Sequence, residues 1–100
     1  TNDAEAAVKD ADIVYTDSWM SYRIPKEEKA RREKDLMNFR VTKELFSHAK
    51  KKAYFMHCLP ANREHEVAHQ IIDGPRSIVF PQAKNRMFIQ KAILLELMKK

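Results

Sequence analysis

The stretch AYFMHCLPANR, Ala53 to Arg63, sets an imidazole, a thiol and a proline directly behind an apolar run. His57 can give or take a proton near neutral pH, and Cys58, the only cysteine, can act as a thiolate base or nucleophile. Two further polar groups stand at comparable places. Asp17 closes the run DIVYTD with Ser21 four residues on, and Arg86 lies early in the apolar carboxyl-terminal segment. A carboxylate, a thiol, an imidazole and a guanidinium from separate parts of the chain could face one cleft and there serve binding or proton transfer. Taken singly, each has a structural reading: a hydrogen-bonded strand-end histidine, a small buried cysteine, and turn caps at Asp17 and Ser21. A cation in the first turn of a helix, where the spacing places Arg86, opposes the helix dipole unless an anion or carbonyl oxygen docks beside it. His65 and His69 are four apart, but no carboxylate or thiol at ligand spacing completes a metal set, so they read as a solvated helix face. His48 reads as ordinary.

The elements that must position these residues follow from the pattern. Asn2 or Asp3 caps a short helix through Lys9. DIVYTD and AYFMHC read as strands, and SIVF, Ser77 to Phe80, as a third. Ser18 to Ile24 reads as a loop. Pro25 opens a solvated helix whose acids precede bases by four residues, Glu27 to Arg31 and Glu28 to Arg32. Thr42 caps KELFSHA, Glu64 to Ile72 reads as a helix stopped by Gly74 and Pro75, and AKNRMFIQKAILLELMKK reads as a helix apolar over more than half its girth. Strands alternating with helices give an α/β fold, a three-layer sandwich with a short parallel sheet flanked by helices. Ligands of such sheets gather beyond the carboxyl ends of the strands, where Asp17, His57 and Cys58 fall.

Composition narrows the function. The single glycine, Gly74, excludes Gly-rich phosphate loops and the dinucleotide fingerprint. One cysteine allows no internal disulfide, which favours a reducing, cytoplasmic setting. No apolar run approaches the roughly 20 residues that span a bilayer, and no signal-peptide pattern opens the chain, so no membrane partner is expected. The formal charge of +5 is spread among acids apart from Lys50 to Lys52 and the terminal lysines, and aromatic residues do not interleave with the bases. Attraction of small anions fits that surface better than nucleic-acid binding. The 100 residues open without a methionine and read as a piece of something longer.

Four blocks, YTDSWMS, FMHCLPANREHEV, IIDGPRSIVF and QAKNRMFIQKAIL, resemble in order and spacing the carboxyl-terminal part of the ornithine carbamoyltransferases. The related aspartate enzymes carry a proline where Cys58 stands. The resemblance implies that residues 1–100 are a fragment of the ornithine-binding domain, with the amino-terminal carbamoyl-phosphate domain outside it. It implies transfer of a carbamoyl group from carbamoyl phosphate to the side-chain amine of ornithine, giving citrulline, without cofactor or metal, in a homotrimer. By resemblance, Asp17 and Ser21 bind the acceptor, Cys58 takes its proton, the Leu59 carbonyl aims the amine, and His57 and Arg86 donate to the carbamoyl oxygen. Ornithine-specific members continue Ser-Met-Gly where this chain has Ser21, Tyr22 and Arg23. Tyr22 therefore reshapes the acceptor pocket, and putrescine, acetylornithine or a noncatalytic binding module are the alternatives. Trp19 to Arg40 resembles the family's mobile flap, and the last helix is expected to cross back to the amino-terminal domain. The piece alone is expected to be inactive.

Overall fold

The computed structural model describes residues 1–20 and 23–99, and the expectations for Ser21 and Tyr22 fall outside the described residues. The chain is α/β, with a short parallel sheet flanked by helices. Helix α1 (Ala4–Val8) is capped by Asp3, whose carboxylate accepts the Ala6 N–H at 3.1 Å. Strand β1 (Ile13–Thr16) follows. The chain then crosses over through α2 (Lys26–Leu36), a 3-10 turn (Met37–Phe39) and α3 (Lys43–Ser47) before β2 (Tyr54–His57). Helices α4 (His69–Ile72) and α5 (Val79–Leu97) complete it.

Thr42 caps α3 as its residue type demands, its hydroxyl accepting the Leu45 N–H at 3.1 Å. That cap fixes where α3 begins and hence which face carries Phe46 inward. Phe46 meets Phe55 of β2 edge to face at 6.5 Å, and both are essentially without exposure. Val14, Val41, Ala53, Val67, Ile71, Ile72 and Val79 close around the pair as one core. Burying a phenyl ring in such surroundings contributes roughly 1.5–3 kcal/mol.

The two strands pair in parallel with Ile13 opposite Tyr54 and Thr16 opposite His57. This register decides the site. With Thr16 and His57 level, the next residue on each strand, Asp17 and Cys58, emerges side by side beyond the carboxyl ends of the sheet.

Two expected elements differ. SIVF does not form a strand: Ser77 makes a single bridge to Phe55, and the chain enters α5 at Val79. Pro81 explains the early start, because in the first helical turn its missing N–H has no intrahelical partner and its fixed φ suits a helix. Arg86 therefore lies about two turns into α5, where the helix dipole has faded.

Helix α4 is also shorter than expected, His69–Ile72 rather than Glu64 to Ile72. Glu64 adopts a left-handed φ of 66° and the chain from Arg63 to Val67 forms bridges, with the Glu66 C=O accepting from Val41 N–H at 3.0 Å. His65 and His69 thus share no helix face. Their ring nitrogens pair with Glu33 at 2.8 Å and Glu64 at 2.7 Å.

Candidate functional site

Beyond the sheet's carboxyl ends the Cys58 thiol donates to Asp17 Oδ1 across 2.8 Å. The same oxygen accepts the Ser18 N–H at 2.6 Å. These two donors, the thiol first, hold the Asp17 carboxyl below its ordinary range. Burial, and then the hydrogen bond to Asp17, push the Cys58 thiol above its own. Both shifts say the same thing: the pair is a carboxylate facing a thiol, with the proton on sulfur.

Arg86 reaches the pair from α5. Its Nη1 donates to the Cys58 carbonyl at 3.4 Å. A cavity of about 370 Å³ opens here, lined by Tyr15, Cys58, Gln82, Asn85, Arg86 and Ile89. Cys58 and Arg86 line this cavity, and Asp17, from a third block of sequence, is not among its lining residues but adjoins it through the Cys58 thiol.

His57 sits differently. Its side chain has no exposure, its Nδ1 accepts the Leu59 N–H at 2.8 Å, and its Nε2 lies 3.5 Å from Glu66 Oε1. It faces the cavity only through the backbone of the residues that follow it. Leu59 has a left-handed φ of 55°, and the Leu59–Pro60 peptide is cis.

Three residues of the site were not singled out from sequence. Gln82 ties α5 to both strands, its Oε1 accepting the His57 N–H at 3.1 Å and its Nε2 donating to the Tyr15 hydroxyl at 3.3 Å. Tyr15 could have been found by its period-2 relation to Asp17 on one strand face. Glu66 had one signal, an acid three residues from Arg63 next to a valine-alanine pair that the core needed, but a helical reading of that stretch hid it.

The loop after Asp17 is held from the crossover. Arg32 Nε of α2 donates to the Trp19 carbonyl at 2.6 Å, and Trp19 is buried. Helix α2 has no buried residue of its own, so this bond and the Glu33–His65 pair are named ties between it and the rest.

Among the described residues no group of three or more His, Cys, Asp or Glu is arranged to hold a metal ion, and no helix is long and apolar enough to cross a membrane.

Residues 1–97 match the family described as aspartate/ornithine carbamoyltransferase, Asp/Orn binding domain. The chain belongs to this family. An ornithine carbamoyltransferase of Staphylothermus marinus is 56% identical over 92 residues, which are 92% of this chain and 29% of that protein. The solved ornithine carbamoyltransferase from Pyrococcus furiosus superposes with a TM-score of 0.84 at 49% identity, covering 92% of this chain and 29% of that one. An acetylornithine transcarbamylase structure, complexed with acetylcitrulline, matches at a TM-score of 0.79 and 29% identity, covering 98% of this chain and 30% of that one. The chain thus spans about three tenths of the length of these carbamoyltransferases.

Proposed function

We propose that this chain supplies the acceptor side of a carbamoyltransferase that moves a carbamoyl group from carbamoyl phosphate to the side-chain amine of ornithine. The observation that carries the reading is the Cys58–Asp17 contact at 2.8 Å with Arg86 bound to the Cys58 carbonyl. A free side-chain amine, with a pKa near roughly 10.4, is almost wholly protonated at neutral pH and cannot attack a carbonyl. The ammonium group enters beside Asp17, whose carboxylate binds it. Its positive charge lowers the neighbouring thiol's pKa, so Cys58 releases its own proton to solvent and, as thiolate, takes one from the ammonium group, while the second nitrogen proton goes to the departing phosphate after the N–C bond has formed. The nitrogen lone pair then attacks the carbamoyl carbon, the N–C bond forms, and the C–O bond to phosphate breaks with its electron pair leaving on phosphate. Arg86 offers a guanidinium to the oxygen that gains charge in that step, which is usually the largest single catalytic effect.

Leu59 contributes its main-chain carbonyl to the amine. His57 reaches the cleft through the Leu59 amide that its ring holds, and a direct bond from His57 to the carbamoyl oxygen requires the ring to release that amide and turn. By resemblance to the family, Ser21 and Tyr22 are further acceptor-binding residues. The full-length protein carries the carbamoyl-phosphate domain, assembles as a homotrimer, works in the cytoplasm and needs no cofactor. The 100-residue chain alone is inactive.

A second reading changes the acceptor only. Tyr22 and Arg23 stand where ornithine-specific members carry Met-Gly, which favours a pocket shaped for another amine such as putrescine or acetylornithine. Assaying the full-length protein with ornithine, acetylornithine, putrescine and aspartate separates the readings. Highest kcat/KM with ornithine is the expected result; preference for another amine supports the second reading, and silence with all four leaves a noncatalytic module.

A further inference from the structure

Glu66 has no exposure and faces the interior rather than the cleft, so none of the chemistry above uses it. A carboxylate removed from water is retained only where its contacts offset the lost hydration. Its Oε1 accepts the Asn62 N–H at 2.6 Å and lies 3.5 Å from His57 Nε2, and the His57 side chain is equally buried. On the other edge of that ring Nδ1 accepts the Leu59 N–H at 2.8 Å. A backbone amide can only donate. Nδ1 therefore carries no proton, and the proton of the ring is on Nε2, which lies 3.5 Å from Glu66 Oε1 and has no hydrogen-bond partner among the described residues.

We propose that Glu66 is a positioning residue for the cleft: by facing Nε2 it selects the Nε2–H tautomer of His57, which leaves Nδ1 free to hold the Leu59 amide. The hold matters because Leu59 is a non-glycine residue in left-handed backbone, a conformation that surrounding contacts must impose. The strap from His57 to Leu59 is then pinned at three points. Gln82 accepts the His57 N–H, Arg86 donates to the Cys58 carbonyl, and His57 accepts the Leu59 N–H. Cys58 is the middle residue of that strap. Its thiol is aimed at Asp17 only while both flanking peptides keep their orientation. In the opposite tautomer, Nδ1–H would meet the Leu59 N–H donor to donor, and the peptide between Cys58 and Leu59 would have to turn.

The consequence for rate rests on the carbamoyl-transfer reading, whereas the tautomer does not, so the test reads both. Full-length protein with ¹⁵N-labelled histidine reports the ring protonation of His57 in long-range ¹H–¹⁵N spectra. The wild-type protein should show a protonated Nε2 and an unprotonated Nδ1. Glu66→Met, which removes the carboxylate at similar volume, should shift the ring toward the Nδ1–H form. It should also lower kcat at least about ten-fold, as expected when a reacting group is misplaced by a fraction of an ångström, with a smaller change in KM for carbamoyl phosphate. Glu66→Gln, which keeps an acceptor oxygen beside Asn62 and His57, should restore both readouts toward wild type. A wild-type ring protonated on Nδ1 overturns the proposal without any variant, which covers the case of a Met variant that fails to fold. So does a folded Glu66→Met protein with the wild-type tautomer or undiminished kcat. If the wild-type protein transfers carbamoyl to no amine while the tautomer still follows residue 66, the functional reading fails and the positioning role stands.

Discussion

Cys58 and Asp17 share one proton-bearing contact, and their opposed displacements make a direct chemical prediction. Burial and the adjacent Asp17 both keep the thiol protonated, so alkylation by iodoacetamide at neutral pH should be slower than for a free thiol. Its pH profile should rise only above the ordinary cysteine range. Replacing Asp17 with Asn removes the neighbouring negative charge, which should bring the profile down and speed alkylation at neutral pH, as mass spectrometry would count directly. An unchanged profile in Asp17→Asn would mean that the two side chains are not in contact in solution. The single cysteine makes the readout unambiguous. These residues were legible in the sequence because a strand followed by a polar residue states its own end, and the parallel order then says which ends are neighbours. Glu66 and Gln82 were not, since each acts by reaching a different element, and nothing in a local pattern of residue types specifies a contact of that kind.

At the level of elements, the register of β1 against β2 carries the site, and the crossover that sets it depends on helix ends. Thr42→Ala removes the side-chain cap at the start of α3 and should cost about 1 kcal/mol of stability, read from the urea midpoint with the slope unchanged. Loss well beyond that would show that Thr42 does more than cap. Five of the helical and strand segments read from residue pattern reappear where they were expected, because caps and apolar periodicity are local signals: Asp3, Thr42, Pro25, and the runs before Asp17 and Cys58. The failures have local causes too. Val79 and Phe80 are good strand formers, but Pro81 suits the first turn of a helix, and the helix prevailed. Between Glu64 and Val67 a helical reading failed because Glu66 is drawn inward by Asn62 and His57, and a left-handed Glu64 interrupts the period.

The whole molecule leaves apolar surface uncovered on two sides. Ile13, Tyr15 and Tyr54 on the sheet are about half exposed, and along α5 Phe80, Ile89, Leu94, Leu95 and Leu97 range from 58% to 77%. Patches of that extent on a small chain promote association. The isolated 100-residue chain should therefore sediment as more than a monomer at micromolar concentration, and Leu94→Glu with Leu97→Glu should return it toward monomer. A monodisperse monomer without those changes would show that α5 folds back or is covered in some other way. The apolar girth of this helix was visible in its composition, and the structure leaves much of it exposed. The central claim, that Asp17 and Cys58 receive and activate the acceptor amine while Arg86 meets the carbamoyl oxygen, is tested most directly by citrulline formation from ornithine and carbamoyl phosphate. The full-length protein is compared with its Asp17→Asn variant. Losing a charge-assisted contact to the ammonium should lower kcat/KM for ornithine roughly ten- to hundred-fold; equal rates from the two proteins would contradict the account.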